Sequence, residues 1–524
     1  MPTPARRRPP TVLKSAAMTP AFVLTGRALL AMLPLALAAC AAPQAMPPLP
    51  ASAPERWSAP LPHGGQTQAL ADWWGEWNDP VLPRLIEQAQ ALSPGLASAQ
   101  ARLVEARTQR VEAAAKLLPL ISGNASVSRG YSTALGSVAT IASAGPQLSW
   151  EADLFGMNRA ALAASEARLQ GARAQWHEAR VSVAAEVASQ YVQWRQCGAQ
   201  ARLAAADARS REASADWLGQ ATRAGLQSAS TLSLAQASAA EGRQRWRQQQ
   251  TQCEVQVRAL VALTGQTPGF FDSLQDNEPP APPDALFSLD SLPARVLEQR
   301  PDVVQATRQL AANWAEVQQA DAAGYPQLSL QGSVSALRLD ARGSTQHLST
   351  WSLGPLSLSF PITDGGRLKA ERQAAQARYT EAVALYQARV RQAVREVEEA
   401  LLNLASAQQR QHDAQQASEG YERVLQHTQT RQRAGLASLA EVEEARRSAL
   451  AAQTSLSTLA LERQLAWINL YRAAGGGWDG NTAAPEATSN VTSKATTATT
   501  PDATTDITQE AAAPAGTARP GPAL

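Results

Sequence analysis

Residues 119–128 read Pro-Leu-Ile-Ser-Gly-Asn-Ala-Ser-Val-Ser, and residues 326–335 read Pro-Gln-Leu-Ser-Leu-Gln-Gly-Ser-Val-Ser. In the first, Ile121, Gly123, Ala125 and Val127 alternate with Ser122, Asn124, Ser126 and Ser128; in the second, Leu328, Leu330, Gly332 and Val334 alternate with Ser329, Gln331 and Ser333. A period of two is the mark of a strand with one apolar and one polar face. Each stretch is followed, after a loop, by a second alternating run. Leu148, Trp150, Ala152 and Leu154 stand against Ser149, Glu151 and Asp153, while Leu356, Leu358 and Phe360 stand against Ser357 and Ser359. The spacing predicts two hairpins, about 120–129 with 147–155 and about 327–337 with 351–361. A hairpin lying on a soluble core would show the same alternation. Two features favour a membrane barrel: small Ser residues share the polar face with Glu151 and Asp153, and the strands are about ten residues long. Four strands cannot close a barrel, whose smallest versions have about eight, so the chain must oligomerise.

The two hairpins belong to a duplication. Pro94 and Pro301 lie 207 residues apart, as do Pro119 and Pro326, and Arg223-Ala224-Gly225-Leu226 returns 210 residues later as Arg433-Ala434-Gly435-Leu436. The chain divides into a leader over 1–39, a tether over 40–71, a first repeat over 72–265, a linker over 266–293 containing Pro279 to Pro283, a second repeat over 294–475 and a tail over 476–524. Asn158 to about Thr222 holds no Pro and few Gly, with Val181, Ala184, Ala188, Tyr191 and Val192 at helical spacing; Arg367 to Gln432 repeats the pattern with Val383, Val390, Val394, Val397, Leu401 and Leu404. Helices of this length reach roughly 100 Å and read as coiled coil. Each turns back at its Arg-Ala-Gly-Leu motif, where Gly accepts a left-handed conformation.

Composition narrows the function. With 47 Lys and Arg against 45 Asp and Glu in 524 residues, nothing in the charge balance calls for a nucleic acid. After residue 40 no apolar run approaches the ~18 residues of a spanning helix. His63, His177, His347, His412 and His427 are scattered without metal-ligand spacing, and no phosphate loop or nucleophile elbow occurs, so no enzyme, metal site or cofactor is expected. The tail, rich in Ala, Thr and Pro, is expected to be disordered.

Arg6, Arg7, Arg8, Lys14 and Arg27 precede the apolar run Ala28 to Ala39, which ends at Leu37-Ala38-Ala39-Cys40. This resembles a bacterial lipobox, which implies cleavage before Cys40 and acylation of its thiol and amino group. A secretory leader with an accidental cysteine is the alternative. By its resemblance to Gram-negative lipoprotein sorting signals, Ala41 in place of Asp implies the outer membrane.

Trp73-Trp74 with Asp79-Pro80, Arg300-Pro301-Asp302 before an Ala-rich helix, Tyr325-Pro326 entering a strand, Phe360-Pro361 with Asp364-Gly365-Gly366-Arg367 leaving one, and the two Arg-x-Gly turns together resemble the TolC-like outer membrane factors, in their lipoprotein branch. The resemblance covers nearly all of residues 72–475. It implies an α+β membrane protein: a homotrimer in which each chain gives four strands to a transmembrane β-barrel and its long helices form a hollow α-barrel across the periplasm. It further implies a passive duct for drugs or small solutes, reached through a periplasmic adaptor from an inner-membrane proton-driven transporter. Type I protein secretion shares the fold, and a structural coiled-coil lipoprotein is a third reading. The turns at Arg223, Gly225, Arg433 and Gly435 would form the periplasmic tip. Glu441 and Glu444 match acidic positions of the family's second repeat and would make a cation-attracting constriction; a solvated helix N-terminus is the plainer role for them. The first repeat has Thr231 and Leu234 at the matching places.

Cys197 lies 28 residues before Gly225 and Cys253 lies 28 after it. A reversal near Gly225 would set the two at one height in antiparallel helices, and an oxidising compartment would bridge them. Two buried free thiols are the alternative.

Overall fold

The computed structural model describes residues 45–47, 54, 56–59, 73–275 and 293–478. The leader, Cys40, the Pro279–Pro283 stretch and the tail beyond residue 478 lie outside the described residues.

A 3-10 turn, Trp73–Trp77, leads into α1 (Val81–Leu92) and α2 (Pro94–Ala115), then the hairpin β1 (Leu120–Ser132) and β2 (Ser137–Ala152). The chain runs on as α3 (Met157–Arg223), α4 (Ala229–Thr264) and the short α5 (Pro268–Gln275). The second half repeats the order: α6 (Pro293–Glu298), α7 (Pro301–Ala322), β3 (Gln327–Ala341), β4 (Ser344–Ser359), α8 (Arg367–Arg433) and α9 (Leu439–Ala473). Both α3 and α8 have 67 residues, about 100 Å. Among the described residues no helix is long and apolar enough to cross a membrane.

Each long helix starts where a strand delivers the chain to it, and an Asp caps the junction. Asp153 accepts from the backbone N–H groups of Asn158 (3.1 Å) and Arg159 (2.9 Å), and Asp364 from those of Gly366 (2.9 Å) and Leu368 (2.7 Å). These carboxylates satisfy amide donors that the first helical turn leaves without partners. The long helix α3 packs along α2 and α7 on one stretch and along α4 and α9 on another, and α8 packs along α7 and α9. Small Ala residues at the seams, including Ala184, Ala188, Ala393 and Ala400, allow close approach where larger residues could not fit.

The main core gathers where helices begin and end. Trp73 stacks on Tyr471 at 4.5 Å with Trp74 and Trp77 beside it, and the Tyr191 hydroxyl donates to Asp79 at 2.7 Å. Arg300 joins three helices: it donates to Asp302 at 2.8 and 3.0 Å, to Glu396 at 2.7 Å and to the Ala473 carbonyl at 2.9 Å. The 266–293 segment is more than a connector, because α5 within it buries Phe271 against Trp194 at 5.4 Å. The N-terminal arm also docks: Trp57 and Ala59 are buried, and Glu398 accepts from the backbone N–H groups of Ser58 (2.6 Å) and Ala59 (2.8 Å).

The four strands form one antiparallel sheet in the order β1-β2-β3-β4, leaving β1 and β4 as edges. The strands have 13 to 16 residues rather than ten. The second strand of each hairpin starts earlier than its alternation suggests, at Ser137 and Ser344 instead of 147 and 351, so the connections are tight turns. In β2 the cause is Gly145-Pro146, just ahead of the alternating run, whereas β4 carries its Gly354-Pro355 pair inside the expected strand. Pro interrupts the ladder because it has no N–H, but the strand resumes beyond it. Gly145 is required on steric grounds, since a Cβ there would lie 1.9 Å from the Val334 carbonyl oxygen.

Candidate functional site: the duct wall and the helical turns

The sheet register assigns each strand residue to a face. Over the lower two thirds, one face carries Ile121, Val127, Leu148, Trp150, Leu328, Leu330, Val334, Trp351, Leu353, Leu356 and Leu358. Many are open to the surroundings in the single chain, Trp351 by 79% and Val127 by 76%, which an aqueous surface would not tolerate as a continuous sheet. This is the lipid face. In β4 it extends from Leu358 to Ser349, nine residue steps, or about 23 Å of membrane normal at the usual strand tilt.

The opposite face is a ladder of neutral hydrogen-bonding groups. Ser126 pairs with Ser143 (2.8 Å), Ser329 with Ser357 (2.7 Å), Ser333 with Ser352 (2.8 Å) and Ser335 with Thr350 (2.9 Å), while Asn124 donates to Gln147 at 2.8 Å. Hydroxyls engaged with each other across strands wet the wall, and Glu151, opposite Ser329, sets a carboxylate near its helix end. Near the hairpin turns the inner face changes: Ile141 lies opposite Leu339 and Leu337 opposite Leu348.

At the far end of the helices, both turns close identically. Gly225 (φ 70°) and Gly435 (φ 73°) take the left-handed conformation, while Leu226 N–H reaches the Ala221 carbonyl and Leu436 N–H the Arg431 carbonyl, each at 2.8 Å. This is the paired hydrogen-bond pattern of a glycine-terminated helix. Ser228 and Ser438 then cap the returning helices, each accepting from the residue three further on, Thr231 or Glu441, at 3.2 Å. The repeated unit is therefore Arg-Ala-Gly-Leu-x-Ser, a helix stop followed by a helix start. Leu226 and Leu436 project from the turns, 76% and 68% exposed.

The candidate tip residues differ in their surroundings. Arg223 donates to the Gly219 carbonyl at 3.2 Å. Arg433 is exposed, and Arg431, not singled out from the sequence, bonds the turn through the Leu436 carbonyl at 2.9 Å. Glu441 is exposed and accepts from the Ser438 hydroxyl at 3.2 Å, which orients the hydroxyl that caps the helix. Glu444 is exposed and paired with Arg447. The acid that sequence reading passed over, Glu443, is buried; it accepts from Ser210 of α3 at 3.0 Å and pairs with Arg446, tying α9 to α3. Its position next to apolar Val442 on a seam was the available signal. Cys197 and Cys253 are joined by a disulfide with Cα atoms 5.6 Å apart.

Asp302, at the start of α7, and Tyr191, in the middle of α3, are both shifted. Burial pushes the Asp302 carboxyl up, but hydrogen bonding and charge from Arg300 outweigh it and hold Asp302 below the usual carboxylate range. Burial and the bond to Asp79 push the Tyr191 phenol well above its ordinary value, so it stays a donor. Among the described residues no cluster of three or more His, Cys, Asp or Glu could hold a metal ion.

The family model for outer membrane efflux proteins matches residues 85–266 and 292–476. The chain is 30% identical over 459 residues to the pyoverdine export outer membrane protein OpmQ of Pseudomonas aeruginosa, covering 85% of this chain and 95% of that one. It is 28% identical over 465 residues to nodulation protein T of Rhizobium leguminosarum bv. viciae, covering 88% and 94%. The solved outer-membrane channel OprN superposes with a TM-score of 0.72 at 27% identity, over 84% of this chain and 99% of that one. A duplicated body, a sheet with one apolar and one hydroxylated face, and paired ~100 Å helices ending in identical turns place this chain in the outer membrane efflux protein family, as a channel of the outer membrane that extends into the periplasm.

Proposed function

We propose that this chain forms the passive exit duct of a tripartite pump for drugs or small solutes, as a lipid-anchored homotrimer. The observation that carries the reading is the sheet: four strands with two free edges, one face for lipid and one hydroxylated face for water. Three copies would supply twelve strands, enough to close a barrel. The inner face is mostly small hydroxylated residues, in keeping with a duct that leaves selection to the inner-membrane transporter. The exposed Leu226 and Leu436 on the twin turns are the surface offered to the periplasmic adaptor.

Chain reach supports the lipid on Cys40. Met46 packs against the cluster of Leu310, Val317, Ala375, Tyr379 and Ala382, and Tyr379 lies twelve residues into α8, about 18 Å from the helix start beneath the sheet. The six residues from Cys40 to Met46 span at most about 20 Å. An extended stretch of that length would be long enough for an acyl group on Cys40 to enter the membrane at the lower rim of the barrel.

The test is transport. In a Gram-negative strain lacking its own exit channel, the chain should lower accumulation of a fluorescent pump substrate when supplied with an adaptor and transporter from its own genome. Equal accumulation with and without the chain, at matched outer membrane levels, would contradict the reading.

A further inference from the structure

Above the apolar band, the lipid-facing side of the sheet changes character. Continuing the alternation past Val127, Ala336 and Ser349, the next outward positions are Arg129, Arg338 and His347, all exposed. Arg338 lies directly opposite His347, and the outward residues of β2 between Arg129 and Arg338 are Thr140 and Ala142, both small. The two Arg backbones are separated by two strand spacings, roughly 10 Å, and by two residues along the strands. Side chains of that length can converge above the low floor of Thr140 and Ala142. Arg342 adds a third guanidinium at the turn, where it reaches over Gly136. One acid stands among them: Asp340, which bonds Arg338 at 3.1 Å and accepts from Thr345. Arg129 has no ion-pair partner among the described residues.

We propose that this cluster binds the phosphate groups of the phosphorylated glycolipid in the outer leaflet of the outer membrane. The level fits. The hairpin turns are the end opposite the helices, so they point outwards, and the cluster begins one residue pair above a band that matches the hydrocarbon thickness. Cations at that height meet headgroups rather than acyl chains. Guanidinium groups match phosphate oxygens in pairs, and converging Arg side chains hold a phosphate more firmly than one point charge. In a barrel closed by further copies, the cluster recurs around the rim. The inference rests on the outer membrane channel reading.

The test uses the full-length lipidated protein in detergent, titrated with lipid A and with dephosphorylated lipid A and read by native mass spectrometry. Binding of lipid A should weaken about tenfold in the Arg129→Gln, Arg338→Gln double variant, the effect of losing one charge-assisted contact. Dephosphorylated lipid A should bind both proteins equally poorly, and millimolar inorganic phosphate should not displace the glycolipid. Equal binding of lipid A by the native and variant proteins, or displacement by inorganic phosphate, would overturn the proposal while leaving the channel reading intact. If the variant fails to fold, the native protein alone decides, because equal affinity for the two forms of lipid A would sink it. Failure of the native protein to insert into phosphatidylcholine vesicles would instead overturn the barrel reading beneath it.

Discussion

Arg300 connects the start of α7, the middle of α8 and the end of α9 through one buried guanidinium. Replacing it by Ala leaves buried Asp302 with only the more distant Arg389 at 3.9 Å, and breaking a buried pair in this way costs about 3–5 kcal/mol. The Arg300→Ala protein is therefore expected to melt well below the native one by circular dichroism, and Arg300→Lys to recover only part, since an ammonium cannot reach Asp302, Glu396 and the Ala473 carbonyl together. The pH dependence follows from the sign of the Asp302 shift. Because the folded carboxyl lies below its unfolded value, its stabilisation is present above the ordinary carboxylate range and fades as pH falls through the folded value. Melting temperatures between pH 6 and pH 3 should fall more steeply for the native protein than for Asp302→Asn. The cysteines give a second prediction at this scale. Thiol titration of denatured, unreduced protein should find no reactive pair at Cys197 and Cys253, and Cys197→Ser with Cys253→Ser should cost about 4 kcal/mol for a loop of 56 residues. Two free thiols per chain would contradict the bridge.

Strands and helices differed in how plainly they could be read. The two long helices stood out because Pro is absent and apolar residues recur at three-to-four spacing, and both ends were legible from Gly225 and Gly435. Strand length was not, because Pro146 looks like a terminator and residues 344–350, polar apart from Leu348, show no alternation. Only the sheet shows the ladder resuming past Pro146 and Pro355 as the neighbouring strand supplies the remaining hydrogen bonds. Gly145→Val is therefore expected to prevent assembly, since the added carbons overlap the Val334 carbonyl; loss of heat-resistant oligomer on unboiled gels is the measurement. The tip was half legible. The twin turns were visible as motifs, whereas the roles of Arg431 and Glu443 depend on which face of α8 and α9 meets a neighbour, a property of packing rather than spacing. Glu441 and Glu444 are expected to attract cations if they face the duct axis. The Glu441→Ala, Glu444→Ala double variant should then show weaker cation preference in single-channel recordings, with the difference shrinking at high salt. Unchanged selectivity would leave Glu441 as the helix cap that its bond to Ser438 describes.

At the scale of the molecule, duplication explains why a chain with four strands and two long helices looks incomplete alone. Each half contributes one hairpin, one long helix and one returning helix, and the halves join side by side through β2 with β3 and α3 with α9. The two outer strands keep unpaired edges, and an apolar face as bare as that around Trp351 and Val127 needs lipid. Open edges inside a membrane leave backbone groups without partners at a cost of several kcal/mol each, so the edges must meet those of other copies. Native mass spectrometry of the detergent-extracted, lipidated protein measures this directly: the predicted result is an assembly of three chains, and a population of monomers alone at micromolar concentration would contradict it.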